Sequence, residues 1–270
     1  MERRWRLILD GKHGAAANMA ADEAILRAHV DGKVPPTLRL YGWEKPAVSL
    51  GYFQSMEGAR IDVEYCRDAG IEIVRRPTGG RAVLHGHDLT FSISLDERQI
   101  ADGFRSVLGS HLWLMGAVVA GLRMLGLEAE IGPANGRAEL RDSADCFAHV
   151  AECDVRVGRE KVAGAAQVRR LGGVLQQGSM PCAVPAVEAA RVFGHTNTGL
   201  RENGYLLAGA ARRDIEQALV QGFEDALQVS FVEGTLTGDE IELALQLQGE
   251  KYASPEWTYR RGTCSLTRVC

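Results

Sequence analysis

The 270-residue sequence has no apolar run of the ~20 residues that a membrane-spanning helix needs; its most apolar stretch, His111 to Leu122, is closed by Arg123. The opening Met1-Glu2-Arg3-Arg4-Trp5 leads into too few apolar residues for a secretory signal. A net charge of only −4 lacks the basic excess of a nucleic-acid binder. There is no internal repeat, no low-complexity run and no linker. Neither a Walker A loop nor a dinucleotide-binding fingerprint is present. These absences lead us to expect a cytoplasmic chain with neither nucleic acid nor membrane as partner. The six cysteines, Cys66, Cys146, Cys153, Cys182, Cys264 and Cys270, are then expected as reduced thiols. The question becomes which one is reactive.

Apolar residues at 46% and charged residues at 24% suffice for a proper core. Alternating β-branched and aromatic residues predict strands at Trp5 to Leu9, Thr37 to Tyr41, Ala47 to Leu50, Ile71 to Val74 and Leu89 to Leu95. Asn18 stands as an N-cap before a helix carrying Met19, Leu26 and Val30 on one face. Phe104, Leu108, Leu112, Met115, Val119 and Leu122 predict an amphipathic helix ending at Gly126. Cys153 to Val157, with outward charges, and Lys161 to Gln167 read as a hairpin, with Gly173 to Gly178 as a further strand. Helices follow from Asp214 to Leu227 and from Thr237 to Gln248, then an irregular aromatic and basic tail. The mixture lacks strict βαβ alternation. It predicts one α+β catalytic domain over 1–235 with a mixed or antiparallel sheet flanked by helices, and a C-terminal helical segment and tail over 236–270.

Three segments are candidates for chemistry. The first is Arg75-Arg76-Pro77-Thr78-Gly79-Gly80-Arg81-Ala82-Val83-Leu84-His85. The Gly-Gly pair after a strand admits close backbone approach. The arginines suit a carboxylate or phosphodiester, and His85 titrates near neutrality. A tight basic turn reads equally well. The second is Cys146 within Ser143-Ala144-Asp145-Cys146-Phe147, a loop thiol that is either a nucleophile or a small buried hydrophobe; taken alone, the hydrophobe is favoured. Cys146, His149 and Cys153 lack an obvious fourth metal ligand, so no metal is expected. The third is Lys161, which begins a strand of tiny residues, Val162-Ala163-Gly164-Ala165-Ala166. They leave room for a ligand beside a cation, although an exposed hairpin lysine is the simpler reading. The pairs Arg75-Arg76, Arg169-Arg170, Arg212-Arg213 and Arg260-Arg261 read first as solvated surface.

Together these segments resemble the lipoate A/B protein ligase family. Residues 75–85 are similar to its Arg-Arg-x-Thr/Ser-Gly-Gly-x-Ala-Val-x-His signature, and 161–167 to its Lys-hydrophobe-x-Gly-Ser-Ala-Gln segment. Asn18 to Ala24, Pro36 to Tyr41, Ser49 to Gln54 and Lys251 to Trp257 resemble further blocks, so the likeness runs from about Trp5 to Trp257. Asp145-Cys146-Phe147 ahead of the lysine motif resembles the octanoyltransferase branch that carries a loop cysteine nucleophile. So does Arg81, which stands where the ATP-dependent ligases usually have a third glycine. Gly86 departs from the aspartate common after the histidine, and Ala165 from a frequent serine.

The resemblance implies a biotin/lipoyl protein ligase-like fold and a cofactor-free acyl transfer. Cys146 takes octanoyl from octanoyl-acyl carrier protein as a thioester and passes it to a lysine of a lipoyl domain or glycine-cleavage H protein. Lys161 orients the acyl carbonyl. Arg76, Gly79, Gly80, Arg81 and His85 bind substrate, and Gly164 and Ala165 leave a slot for the alkyl chain. The alternatives are an ATP-dependent lipoate–protein ligase, an amidotransferase between lipoyl-carrier proteins, and a lipoyl-domain binding module with a dead site.

Overall fold

The computed structural model describes residues 3–132, 153–187, 189–194 and 206–260. The chain opens with β1 (Arg3–His13), α1 (Ala15–Val30), β2 (Thr37–Trp43) and β3 (Ala47–Leu50). Two short helices, α2 (Met56–Ala59) and α3 (Val63–Asp68), lead to β4 (Glu72–Arg75), β5 (Val83–His85) and β6 (Asp88–Asp96). Next come α4 (Val107–Met124), β7 (Ala129–Ile131), β8 (Val155–Val157), β9 (Glu160–Arg170) and β10 (Gly173–Pro181). The rest is α5 (Ala189–Val192), α6 (Arg212–Leu227), β11 (Val229–Glu233), α7 (Gly238–Leu247), a π-helical turn (Gln248–Tyr252) and α8 (Pro255–Arg260).

One sheet has eight strands in the order β11-β1-β2-β6-β10-β9-β8-β7, and a second has three in the order β4-β3-β5. Both are mixed. β1 runs parallel to β2 and to β11, and β3 parallel to β4, while the remaining pairs are antiparallel. Each parallel pair formed by consecutive strands needs a crossover, and helices supply it: α1 between β1 and β2, α2 and α3 between β3 and β4. The expected α+β class with a mixed sheet is therefore observed; the separate small sheet is an addition that the strand pattern does not announce.

The main core lies between the large sheet and the α4/α6 pair. Phe91, Ile93 and Leu95 of β6 meet Leu114, Val118 and Leu122 of α4 and Leu219 and Phe223 of α6. Those two helices cross at glycines: a Cβ on Gly222 would fall 2.3 Å from the Gly121 nitrogen. By length and composition α4 could cross a membrane. Here Leu114, Met115, Val118 and Leu122 are spent on this core instead. A second cluster gathers Met19, Ala20 and Ala24 of α1 with Tyr41, Trp43, Val74, Tyr252 and Trp257.

Three expected helix starts shift. α4 begins at Val107 with Ser106 as N-cap, so Phe104 lies ahead of it. α1 begins at Ala15 with Gly14 as N-cap, and the Ala15 N–H donates to Glu72 at 2.6 Å. Asn18 is inside the helix, fully buried; its amide donates to the Gly42 carbonyl and accepts from Arg39. Its local sequence signature is that of a cap, and tertiary hydrogen bonding overrides it. Likewise α6 is capped at Ala211, not Asp214, and the tail contains α8. Lys251 and Tyr252 both reach Glu23 of α1 at 2.5 Å, so the C-terminal segment is tied to the first helix.

Candidate active site

A narrow cleft with about 440 Å³ of atom-free space opens between the two sheets. Met19 of α1, Tyr41 and Trp43 of β2, Gly164 to Ala166 of β9 and Gln177 to Ser179 of β10 line it from the large sheet and its helix, and Ser49 of β3 and His85 of β5 from the small sheet. Arg76 and Gly80 bring the turn after β4 to its edge. Of the predicted residues, Arg76, Gly80, His85, Gly164 and Ala165 thus share one wall system, while Gly79 and Arg81 are not part of it. Lys161 is not itself a lining residue but packs over the Gly164 α-carbon. Cys146 and His149 lie outside the described residues.

The arginine pair after β4 is not solvated surface. Arg75 is fully buried, and its guanidinium donates to the carbonyls of Gly51, Tyr52, Gln54, Trp257 and Thr258. It braces the backbone and does not face the cleft. Arg76 donates to the Ser49 carbonyl at 2.9 Å, to Gly79 at 2.5 Å and to the Arg81 carbonyl at 2.8 Å, holding the Gly-Gly turn closed. Gly80 sits at φ +89°, a left-handed conformation that favours glycine. Thr78 donates to Gln177 at 2.8 Å, pinning the same turn to β10.

His85 is 5% exposed and fixed on three sides. Its Nδ1 lies 2.7 Å from Asp88 Oδ2, its Nε2 lies 2.8 Å from Ser49 Oγ, and the Trp43 indole stacks on the ring at 4.0 Å. Burial pushes the Asp88 carboxyl up. The charge and hydrogen bond of His85, with the Ser179 hydroxyl at 2.6 Å, outweigh that and hold it well below the usual carboxylate range. With no aspartate at 86, His85 takes its orientation from Asp88, which supplies the carboxylate from the head of β6. Gly86 has φ +114°, and a Cβ there would press on Pro46 at 3.1 Å, so the position takes glycine. Sequence reasoning does not reach Asp88; the i+3 spacing of His85 and Asp88 is the one signal that points to the pair.

Behind the cleft wall lies a buried polar hub. Asp22 of α1 accepts from Arg39 at 2.8 Å, Tyr41 at 2.9 Å, Ser92 at 2.6 Å and Gln177 at 2.7 Å. Each of these donors is buried and would be costly to leave unpaired, so the hub fixes the wall residues Tyr41 and Gln177 in single orientations.

Lys161 is 4% exposed, not a surface hairpin lysine, and Asp154, expected as an outward charge, is 5% exposed. Their side chains meet at 2.8 Å. Gly164 is expected to clear a slot for an alkyl chain; its more immediate role is to clear the lysine. A Cβ at 164 would fall 2.7 Å from Lys161 Cε and 2.8 Å from Nζ. The Gly132 N–H donates to the Asp154 carbonyl at 3.0 Å. Among the other thiols, burial pushes Cys66 and Cys182 up to about 11. Arg169, expected as solvated surface, instead holds the start of α4 through Arg105, Ser106 and Ser110 and faces Glu97 at 3.3 Å.

Residues 14–222 match the lipoyl protein ligase A/B catalytic domain family. Among curated relatives, octanoyltransferase LipM of Kyrpidia tusciae is 41% identical, covering 95% of this chain and 99% of its own. LipM of Symbiobacterium thermophilum is 37% identical, covering 97% and 100%. Among solved structures, a lipoate-protein ligase A bound with ATP superposes with a TM-score of 0.78 at 31% identity, over 96% of this chain and 98% of its own. A bipartite lipoate protein ligase from Thermoplasma acidophilum, described with its E2 lipoyl domain, gives 0.74 at 30% identity over 94% and 96%. The signature turn, the buried lysine and the match along almost the whole chain agree: the chain belongs to the lipoyl protein ligase A/B family, on its octanoyltransferase branch, and is an acyltransferase.

Proposed function

We propose that this protein is a cytoplasmic octanoyl-[acyl carrier protein]:protein N-octanoyltransferase of lipoate biosynthesis, acting through a cysteine thioester. The observation that carries the reading is the buried Lys161, paired with Asp154 and held against the cleft wall at Gly164.

In the proposed cycle the Cys146 thiolate attacks the carbonyl carbon of the octanoyl thioester on the carrier. The tetrahedral oxyanion collapses, the bond to the carrier's pantetheine sulfur breaks, and that thiolate leaves and takes up a proton. One thioester replaces another, so the step is near balance and uses no ATP. The amine of the acceptor lysine, on a lipoyl domain or a glycine-cleavage H protein, then attacks the acyl-enzyme. The carbon–sulfur bond to Cys146 breaks and the nitrogen loses its proton, leaving an amide. Amide formation from a thioester is downhill and drives the cycle. The Lys161 ammonium steadies the oxyanion in both halves, and the cleft between Trp43, His85, Ala165 and Gln177 takes the acyl chain.

Intact-protein mass spectrometry after mixing with octanoyl-acyl carrier protein, without ATP, tests this. The expected result is a gain of one octanoyl group that disappears when acceptor is added and is absent in Cys146→Ser. Acceptor modification only when ATP and free acid are supplied would overturn it in favour of a ligase.

A further inference from the structure

The proposed reaction needs the Lys161 ammonium in one place. A lysine is a poor positioning device by itself: its flexible four-carbon stem leaves the ammonium free to wander among rotamers. Resting on that reading of the reaction, we propose that Asp154 is the positioning residue for Lys161, locking its ammonium onto the backbone of Gly164 at the cleft wall.

The hairpin builds this contact through a fault in its ladder. β8 and β9 pair Val157 with Glu160 and Arg156 with Lys161, then slip so that Val155 faces Ala163. The slip moves the position facing Asp154 from Ala163 to Gly164. A one-residue bulge of this kind re-aims side chains. Here it brings a carboxylate from the head of β8 and an ammonium from β9 over the same α-carbon. A Cβ at 164 would meet Lys161 Nζ at 2.8 Å and Asp154 Oδ1 at 3.2 Å, so both ends of the pair rest on the bare glycine backbone. Gly164 is itself cleft wall.

The backbone that carries the carboxylate is anchored in turn. The Asp154 carbonyl accepts from Gly132 at 3.0 Å, and the buried His111 ring of α4 hydrogen-bonds the backbone of the preceding Cys153. Side-chain exposures of 3% and 8% put the pair out of water. A buried ion pair contributes little net stability over an apolar replacement. That weakens stability as the reason for the pair, whereas orientation of a reacting group is a use it can serve. Placement errors near 1 Å cost such reactions about a hundredfold.

The test compares Asp154→Asn, Asp154→Ala, Lys161→Ala and the double variant Asp154→Ala/Lys161→Ala, reading octanoyl transfer to acceptor across pH 6 to 9. Asp154→Asn keeps size and a hydrogen-bonding oxygen, so it reports even if the alanine variant folds poorly. Asp154→Ala is expected to lose roughly ten- to hundredfold in kcat with KM nearly unchanged. Asp154→Asn should be intermediate with an altered pH profile. The double variant should be no slower than Lys161→Ala, because residues acting as a unit are not additive. A slow Lys161→Ala beside Asp154 variants with wild-type kcat and pH profile would overturn the positioning role alone. A Lys161→Ala variant at wild-type rate would remove the reading beneath it.

Discussion

Gly51 and Gly80 are in backbone contact: a Cβ on Gly51 would fall 1.8 Å from the Gly80 carbonyl oxygen and 3.2 Å from the Gly79 carbonyl carbon. The strand end after β3 and the Gly-Gly turn after β4 are thus packed main chain on main chain. Arg75 stitches them further by donating to the Gly51 carbonyl at 2.8 Å. Neither partner is a flexible tip that could move aside. Gly51→Ala should cost at least about 2 kcal/mol and displace the cleft edge, whereas Gly79→Ala, with nothing within 4 Å of the added methyl, should cost under about 1 kcal/mol. Urea midpoints of the two variants decide it; equal midpoints would contradict the contact.

The His85–Asp88 pair carries a pH signature. The folded Asp88 carboxyl is held below its unfolded value, about 3.9. Its ionised form therefore stabilises the fold at and above about pH 4, and this contribution is lost as pH falls toward the folded value. Asp88→Asn should destabilise by about 3–5 kcal/mol at pH 7. The gap in Tm from wild type should close progressively below about pH 4. A gap independent of pH between 3 and 7 would contradict the assignment.

Thiol reactivity should be sharply uneven. Cys66 and Cys182, both pushed up to about 11 by burial, are protonated at neutral pH and should alkylate slowly in the native protein. If Cys146 is the nucleophile, one thiol should label fast at pH 7 and vanish in Cys146→Ser. Time-resolved iodoacetamide labelling with peptide mapping reads this directly. Fast labelling at Cys66 or Cys182 would contradict the burial argument, and a slow Cys146 would count against the thioester route.

Glu23 gathers the C-terminal segment. It accepts from Lys251 and Tyr252 at 2.5 Å, and Lys251 also lies 4.0 Å from the centre of the Trp257 ring. Burial, together with the charges of Arg170 and Arg27, holds the Lys251 ammonium below its ordinary value despite Glu23. Glu23→Ala would leave that ammonium buried without its carboxylate, a loss of about 3–5 kcal/mol. Glu23→Leu with Lys251→Met should recover only part of the loss: apolar groups of similar volume replace a buried pair well, but the buried Tyr252 hydroxyl is left without its acceptor. Urea unfolding of both checks this. A double variant as unstable as the single one would mean the pair does more than satisfy itself.

What the sequence determined by itself is mostly local. The strands follow hydrophobic alternation, and Gly126 closes α4 at φ +80° as expected of a C′ glycine, but the face expected of that helix is only half right: Phe104 and Leu108 are exposed, and Ser110 and His111 are buried in their stead. The Arg-Arg-Pro-Thr-Gly-Gly and Lys-Val-Ala-Gly motifs point at the cleft, because glycines and tiny residues beside cations are visible one at a time.

Tertiary structure alone decided which polar groups are partners. Asn18 looks like a helix cap and is a buried donor to β2. Arg75 looks like a phosphate ligand and is spent on five backbone carbonyls. Asp154 looks like surface charge and faces Lys161 through a ladder slip that no periodicity records. The reason is physical. Periodicity fixes which face a residue takes, but burying a charge or an amide is tolerable only where a specific partner arrives, and these partners come from segments up to 183 residues away.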